Sequence, residues 1–248
     1  MTEPGAEKSG RVVRIGWLLD VNQAALIYEE PRPLRHKAEK PASSKALTNC
    51  PAVQNVEARY YEILCPFDLR IALRQGPQGG LGLQDASGPQ SAFSPQIFPQ
   101  VVQLLDQARW RDPQRPVMRI VTPYRFVADE PVWLEQMAPF NAMTDKALPG
   151  VFVGRRLPIY IWPQLLSWTF EWQDLNQEVV LKRGQPWFYL TFETNDPERP
   201  IRLVEAEMTE DLKAHCTGLD QAERYTSRDL FEVARARRPK TLLKPLAD

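Results

Sequence analysis

The sequence predicts a mainly β protein, an antiparallel β-sandwich or a jelly-roll/barrel, with short C-terminal helices. Three observations carry this expectation. Short β-branched and aromatic runs recur, among them RVVRIGWLL (Arg11 to Leu19), VMRIV (Val117 to Val121) and PWFYLTF (Pro186 to Phe192). Proline occurs 23 times in 248 residues, roughly twice average usage. It interrupts helices and central strands alike, so the composition favours short strands and ordered loops. Strands do not alternate regularly with long helices, which argues against a parallel α/β sheet.

The elements follow in order. Residues 1–10 are polar and form a flexible N-terminal tail, and residues 11–208 form the β domain. Arg11 to Leu19 is its first strand, and the Pro- and charge-rich stretch Pro31 to Ser44 is a surface loop. Tyr60 to Leu64 and Asp68 to Leu73 are strands on either side of Cys65-Pro66. Gly76 to Gly82 is a turn, with a short strand at Leu81 to Gln84. Pro95 to Trp110 carries Val101, Leu104, Leu105 and Ala108 at helical spacing, which fits a short amphipathic helix after Pro99 about as well as loop and strand. Val117 to Val121 is a strand stopped by Thr122-Pro123, and Phe126 to Met137 reads as two strands around Pro131.

Leu148 to Glu193 holds four of the seven tryptophans and reads as successive strands forming the centre of a sheet. Val151 to Val153, Pro158 to Trp162, Trp168 to Trp172, Val179 to Lys182 and Pro186 to Phe192 are its strands. Period-two alternation puts Trp168, Phe170 and Trp172 on one face. Ile201 to Met208 is the last strand. Residues 209–248 form a helical segment and tail. Its first helix has Thr209 as N-cap and Gly218 as stop, and its second runs over Thr226 to Arg237.

The charges balance, 31 basic against 31 acidic, so no global field draws the chain to nucleic acid or an anionic membrane. No apolar stretch approaches the roughly 20 residues needed to span a bilayer. Three cysteines, Cys50, Cys65 and Cys216, make no disulfide framework, and no secretory signal opens the chain. A cytoplasmic setting is expected.

Chemistry is sparse. The only histidines are His36 and His215, too few for a cupin-type or zinc site, and neighbours on a helix such as His215 and Cys216 diverge by about 100°. No metal or other cofactor is expected. Cys65, between a strand and Pro66, is a candidate nucleophile with no known motif around it, and a buried structural thiol is the alternative. Neither phosphate-loop glycine motif is present. The carboxylate pairs Asp129/Glu130 and Glu205/Glu207 suit acid–base work or a solvated sheet face. The basic run Arg235 to Lys240 suits nucleic acid or simple complementation of a helix dipole. The remaining candidates for binding are Trp162, Trp168, Trp172 and Trp187 on the strands, with Arg235, Arg237 and Arg238 at the C-terminus.

The order of Cys50-Pro51, CPFDL (Cys65 to Leu69), VMRIVTPYRF (Val117 to Phe126), LPGVF (Leu148 to Phe152) and VVLKRGQPWFYLTFE (Val179 to Glu193) resembles a loosely defined group of uncharacterised β-rich proteins of marine phages and proteobacteria. The resemblance covers residues 49 to 208 and implies architecture, since the group has no established activity. The segment VVLKRGQPWFYLTF is also similar to the closing strands of the trimeric dUTPase and dCTP deaminase β-barrel. The Arg-Ser-Gly phosphate motif and the uridine-hairpin aspartate of those enzymes are missing here, so this likeness implies fold alone.

The expected function is that of a non-catalytic binding or assembly protein with a protein partner or a second copy of itself. The alternatives are a β-barrel enzyme acting on a nucleotide or sugar, and an accessory nucleic-acid binder using the basic C-terminus.

Overall fold

The computed structural model describes residues 12–20, 27–34, 49–76, 79–140, 147–220 and 227–246. The N-terminal tail, most of the Pro31 to Ser44 loop and His36 lie outside them. Apart from exposed Arg14, strand β1 (Val13–Leu19) is buried or half-buried on both faces, which is why it reads as a near-continuous apolar run. After the two-residue β2 (Arg32–Pro33), helix α1 (Pro51–Glu57) starts with Pro51 in its first turn, where a missing N–H costs nothing. Strands β3 (Tyr60–Leu64) and β4 (Leu69–Gln75) flank Cys65-Pro66 as expected, and β5 (Leu81–Asp85) returns antiparallel to β4.

The helix considered after Pro99 is a single turn, α2 (Phe98–Val101), and the chain then extends as β6 (Val102–Leu104). Only Phe98 of that turn is buried, and Val102 takes the next buried place as a strand residue. Strands β7 (Val117–Val121), β8 (Tyr124–Val127) and β9 (Val132–Met137) are separated by Thr122-Pro123 and by Pro131, as the prolines require.

The tryptophan-rich segment supplies β10 (Gly150–Phe152), β11 (Arg155–Pro158), β12 (Ser167–Trp172), β13 (Val179–Leu181) and β14 (Pro186–Thr194). These do not form the centre of one sheet. β10 and β12 join β7 and β6; β11 and β14 join β9, β3 and β2; β13 joins β4 and β5. The expected strand Pro158 to Trp162 is a turn instead, with the Ile161 and Trp162 amides donating to the Pro158 carbonyl at 3.0 and 2.8 Å. Ile159 enters the main core from this turn, while Ile161 meets the C-terminal helices.

Strand β15 (Ile201–Glu205) pairs with β1 in parallel, and β8 flanks β1 on the other side antiparallel. All other pairs among the described strands are antiparallel. The open sheets pack as a β-sandwich; among the described strands no barrel closes. One core draws on all four sheets, with Ile15, Phe126, Ile63, Leu134, Ile71, Ile120 and Phe170 almost wholly buried in it.

Helix α3 (Glu210–Asp220) begins as expected, the Thr209 hydroxyl accepting from the Leu212 amide at 3.1 Å, but it runs through Gly218 to Asp220. Helix α4 (Ser227–Arg237) buries Leu230 and Ala234 against Ile161 and Leu219. The C-terminal tail folds back onto the β domain. Leu242 and Leu243 pack on Leu18, Val127 and Ala206, and Leu246 donates to the Glu205 carbonyl at 2.9 Å. Gly16 permits this, because a Cβ there would lie 2.8 Å from Val127 and 2.9 Å from Ala206, with Leu243 closer still.

Candidate functional site

The chain passes from β13 to β14 through a tight turn. Gly184 adopts φ of 77°, the left-handed conformation that glycine takes without strain at the third position of such a turn. The Gln185 amide donates to Lys182 O at 3.2 Å, and the turn is stitched to the end of β3: Cys65 N donates to Gln185 O at 2.9 Å, and Gly184 N to Cys65 O at 2.8 Å. β14 then carries one extra residue. Its register with β3 steps from Pro186–Leu64 to Phe188–Ile63, leaving Trp187 without a partner. A bulge of this kind breaks the alternation of faces. Trp187 and Phe188, adjacent in sequence, both enter the core as a result.

The Trp187 ring stacks with Trp168 of β12, centroids 6.3 Å apart and planes 27° apart, and meets Phe67 edge-on at 5.5 Å. A cleft of about 1070 Å³ opens over this pair. Val180, Leu181, Leu148 and Pro139 continue its apolar lining, and Arg70, Glu178, Lys182, Gln177 and Gln185 form its polar side. The rim charges are matched within the protein: Arg70 donates from Nε and Nη2 to one oxygen of Glu178 at 2.9 and 2.6 Å. Lys182 lies 3.9 Å from Asp68.

Cys65 also lines the cleft, but as a core thiol. Its Sγ donates to the Phe67 carbonyl at 3.2 Å, and burial pushes its pKa up to about 12. The thiolate needed for nucleophilic attack is therefore scarce at neutral pH. Among the described residues no group of three His, Cys, Asp or Glu is placed to hold a metal ion.

The residues singled out in the sequence separate into distinct places. Trp168, Trp172 and Trp187 are 1, 0 and 3 % exposed. They are core residues. Trp168 and Trp187 still form the floor of the cleft, while Trp172 spends its N–H on the Gln177 carbonyl at 3.1 Å. Trp162 is half-buried against Phe231 of α4 at 5.7 Å. Trp168, Phe170 and Trp172 do share one face: Trp168 and Phe170 stack at 5.2 Å and Phe170 meets Trp172 edge-on at 5.7 Å.

Arg238 is engaged within the protein. It donates to Tyr160 O at 2.5 Å and to Asp129 O at 2.7 Å, tying the end of α4 to the turn after β11. Arg235 and Arg237 are exposed on the last turn of α4, where their charge complements the helix dipole. Three of the four carboxylates are engaged within the protein. Asp129 accepts from the Leu242 and Leu243 amides, Glu130 holds Arg199 at 2.5 Å, and Glu207 holds Lys244 at 2.7 Å. Glu205 is exposed at the sheet edge.

The cleft's ion pair was invisible in the sequence, because Arg70 and Glu178 are 108 residues apart. The bulge that brings in Trp187 leaves only one trace, the adjacency of four large apolar residues in PWFYL. No protein-family model matches the sequence, and neither a curated protein nor a solved structure matches it significantly. Among the described residues no helix is long and apolar enough to cross a membrane.

Proposed function

We infer that the protein is a non-catalytic binding protein whose ligand lodges in the cleft over Trp168 and Trp187, and that it works in the cytoplasm as part of a homo-oligomer or larger complex. The observation that carries this reading is the stacked indole floor beneath an internally neutralised rim. Such a site offers a large apolar contact with a few orienting polar groups, the usual make-up of a ligand pocket. Its size suits a planar apolar body with polar edges. The titratable groups at hand support binding over catalysis, since Cys65 is held protonated and Glu178 is committed to Arg70. The kinship with β-rich phage and proteobacterial proteins belongs to the same proposal.

The test uses the dye 8-anilinonaphthalene-1-sulfonate, planar, apolar and singly charged. Energy transfer from tryptophan to the dye is followed in the native protein and in Leu148→Asp, which places a charge at the rim on a residue 37 % exposed. Saturable transfer to one site, lost in a variant of unchanged melting temperature, supports the cleft. Transfer that is absent, or indifferent to the variant, refutes it. Light scattering after size exclusion checks the assembly part, which a clean monomer sinks.

A further inference from the structure

Alternation along β12 turns Trp168, Phe170 and Trp172 to the core and Ser167, Thr169 and Glu171 to the opposite face. On that opposite face Arg119 of β7 stands in register with Thr169, and its Nε donates to Gln103 Oε1 at 2.8 Å. Arg155, at the start of β11, donates from Nη1 to Ser167 Oγ at 2.8 Å and from Nη2 to Gln164 Oε1 at 2.7 Å. Ser167 Oγ lies 3.3 Å from Thr169 Oγ1. Arg155 thereby reaches through Ser167 to Thr169, whose cross-strand neighbour on β7 is Arg119, and each of the hydrogen-bond partners just named is neutral.

Among the described residues neither Arg119 nor Arg155 has an ion-pair partner. The carboxylate that shares their face, Glu171, is engaged elsewhere: Arg111 holds it at 2.8 Å, and Arg115 lies 3.8 Å from it. Arg115 meets a second acid, Asp112, at 3.4 Å. Arg111 and Arg115 thus share the two carboxylates Glu171 and Asp112, and the positive charge of Arg119 and Arg155 is left unmatched. Burial and the charge of Arg119 both act to lower the Arg155 pKa, the mark of a cation held without a counter-ion. Arg119, Arg155, Gln164 and Thr169 are each half-buried, so the spot stays open to solvent while its dielectric falls.

We propose that Arg119 and Arg155, with the hydroxyls of Ser167 and Thr169, form a binding site for a tetrahedral oxyanion of the phosphate class, free or as the monoester end of a small molecule. A carboxylate has two oxygens and is satisfied by one guanidinium fork. Two forks and two hydroxyls arriving from three strands call for an acceptor with oxygens on several sides, and a dianion matches the excess charge. The site lies on the far side of β12 from the cleft, so it stands or falls independently of the cleft's ligand.

The experiment is thermal unfolding of the full chain at pH 7.5 in sodium phosphate, in glycerol 3-phosphate and in sodium chloride of matched ionic strength. Each phosphate form is expected to raise the melting temperature by ~2–4 °C over chloride at saturation; a larger rise with the ester marks a monoester as the preferred form, and a larger rise with the free ion marks inorganic phosphate. Arg119→Gln is expected to abolish the increment and to melt higher than the native protein in chloride, because it removes the like-charge repulsion. Thr169→Val, which leaves both arginines in place, is expected to halve the increment or more, and serves alone if Arg119→Gln does not fold. Equal melting in phosphate and chloride, or an increment that persists unchanged in the variants, overturns the proposal.

Discussion

Trp187 lies 6.3 Å from Trp168, centroid to centroid, with its indole N–H buried and without a hydrogen-bond partner. Trp172, equally buried, gives its N–H to the Gln177 carbonyl at 3.1 Å. Replacing either by Phe removes the same ring volume from the core. The polar consequences are opposite: Trp172→Phe gives up a hydrogen bond to the carbonyl of the exposed Gln177, whereas Trp187→Phe relieves a buried, unmet donor. An unsatisfied buried group costs ~1–3 kcal/mol. Trp172→Phe is therefore expected to be the more destabilising by ~1–2 kcal/mol, read from urea midpoints at constant m-value. Equal losses would mean that the Trp187 N–H is satisfied in solution.

Gly16 of β1 faces Leu243 of the C-terminal tail so closely that a Cβ there would overlap it. Gly16→Ala forces its new methyl into Leu243, Val127 and Ala206, and overpacking of this kind costs ~1–3 kcal/mol. Leu243→Ala leaves a cavity and costs ~2–4 kcal/mol alone. Each change supplies what the other lacks, so the double variant is expected to lose less than the sum of the two, by more than about 0.5 kcal/mol. Strict additivity in chemical denaturation would show that the tail moves off the sheet when Gly16 is filled.

Much of the fold was legible where local chemistry decides it. β7 and β9 start and stop where Pro116, Pro123 and Pro131 deny the ladder its amide, and α3 begins where Thr209 caps it. The errors have a common physical origin in contacts made far along the chain. Beyond Pro158 the stretch to Trp162 stays apolar because Ile159 enters the main core from a turn and Ile161 meets Leu219 and Ala234, not because it continues a strand. Helix α1 buries only Glu57, so it has no apolar face to betray it. The parallel pairing of β1 with β15, and the split of the tryptophan-rich strands among three sheets, leave no local mark. The cleft follows the same rule: its indoles were conspicuous, but its depth and its Arg70–Glu178 pair depend on which strands become neighbours.

Of the three thiols, Cys65 and Cys216 are buried and Cys50 is half-exposed at the start of α1. Cys65 is further protected by the upward shift of its pKa. Native protein at pH 8 is expected to release one equivalent of thionitrobenzoate from Ellman's reagent quickly, and three after denaturation. Cys50→Ser should abolish the fast equivalent. A fast reaction that survives this substitution would mean that the cleft opens deep enough to expose Cys65.

His215 gives the C-terminal helices a dependence on pH. It is buried on α3 with Nε2 2.9 Å from the Ile161 carbonyl. Burial lowers its pKa, and the charge of Arg238 acts in the same direction; the carbonyls of Ile161 and Arg237 oppose them without prevailing. The folded value thus lies below the ordinary histidine value near 6.5. The unfolded chain takes up its proton first as the pH falls, so stability is full above about 6.5 and declines through and below it, by at most ~1.4 kcal/mol per pH unit from this one group. His215→Gln keeps a donor for Ile161 and cannot titrate. Between pH 7.5 and 5.5 the native protein is expected to lose more melting temperature than this variant, while carboxylate titrations, common to both, cancel in the comparison. Hydrogen exchange should place the acid-induced opening in α3 and the turn at Ile161, where the imidazolium would have to be accommodated beside Arg238. Parallel melting curves for the two proteins across this range would show that His215 gains enough water in solution to titrate as an exposed histidine does.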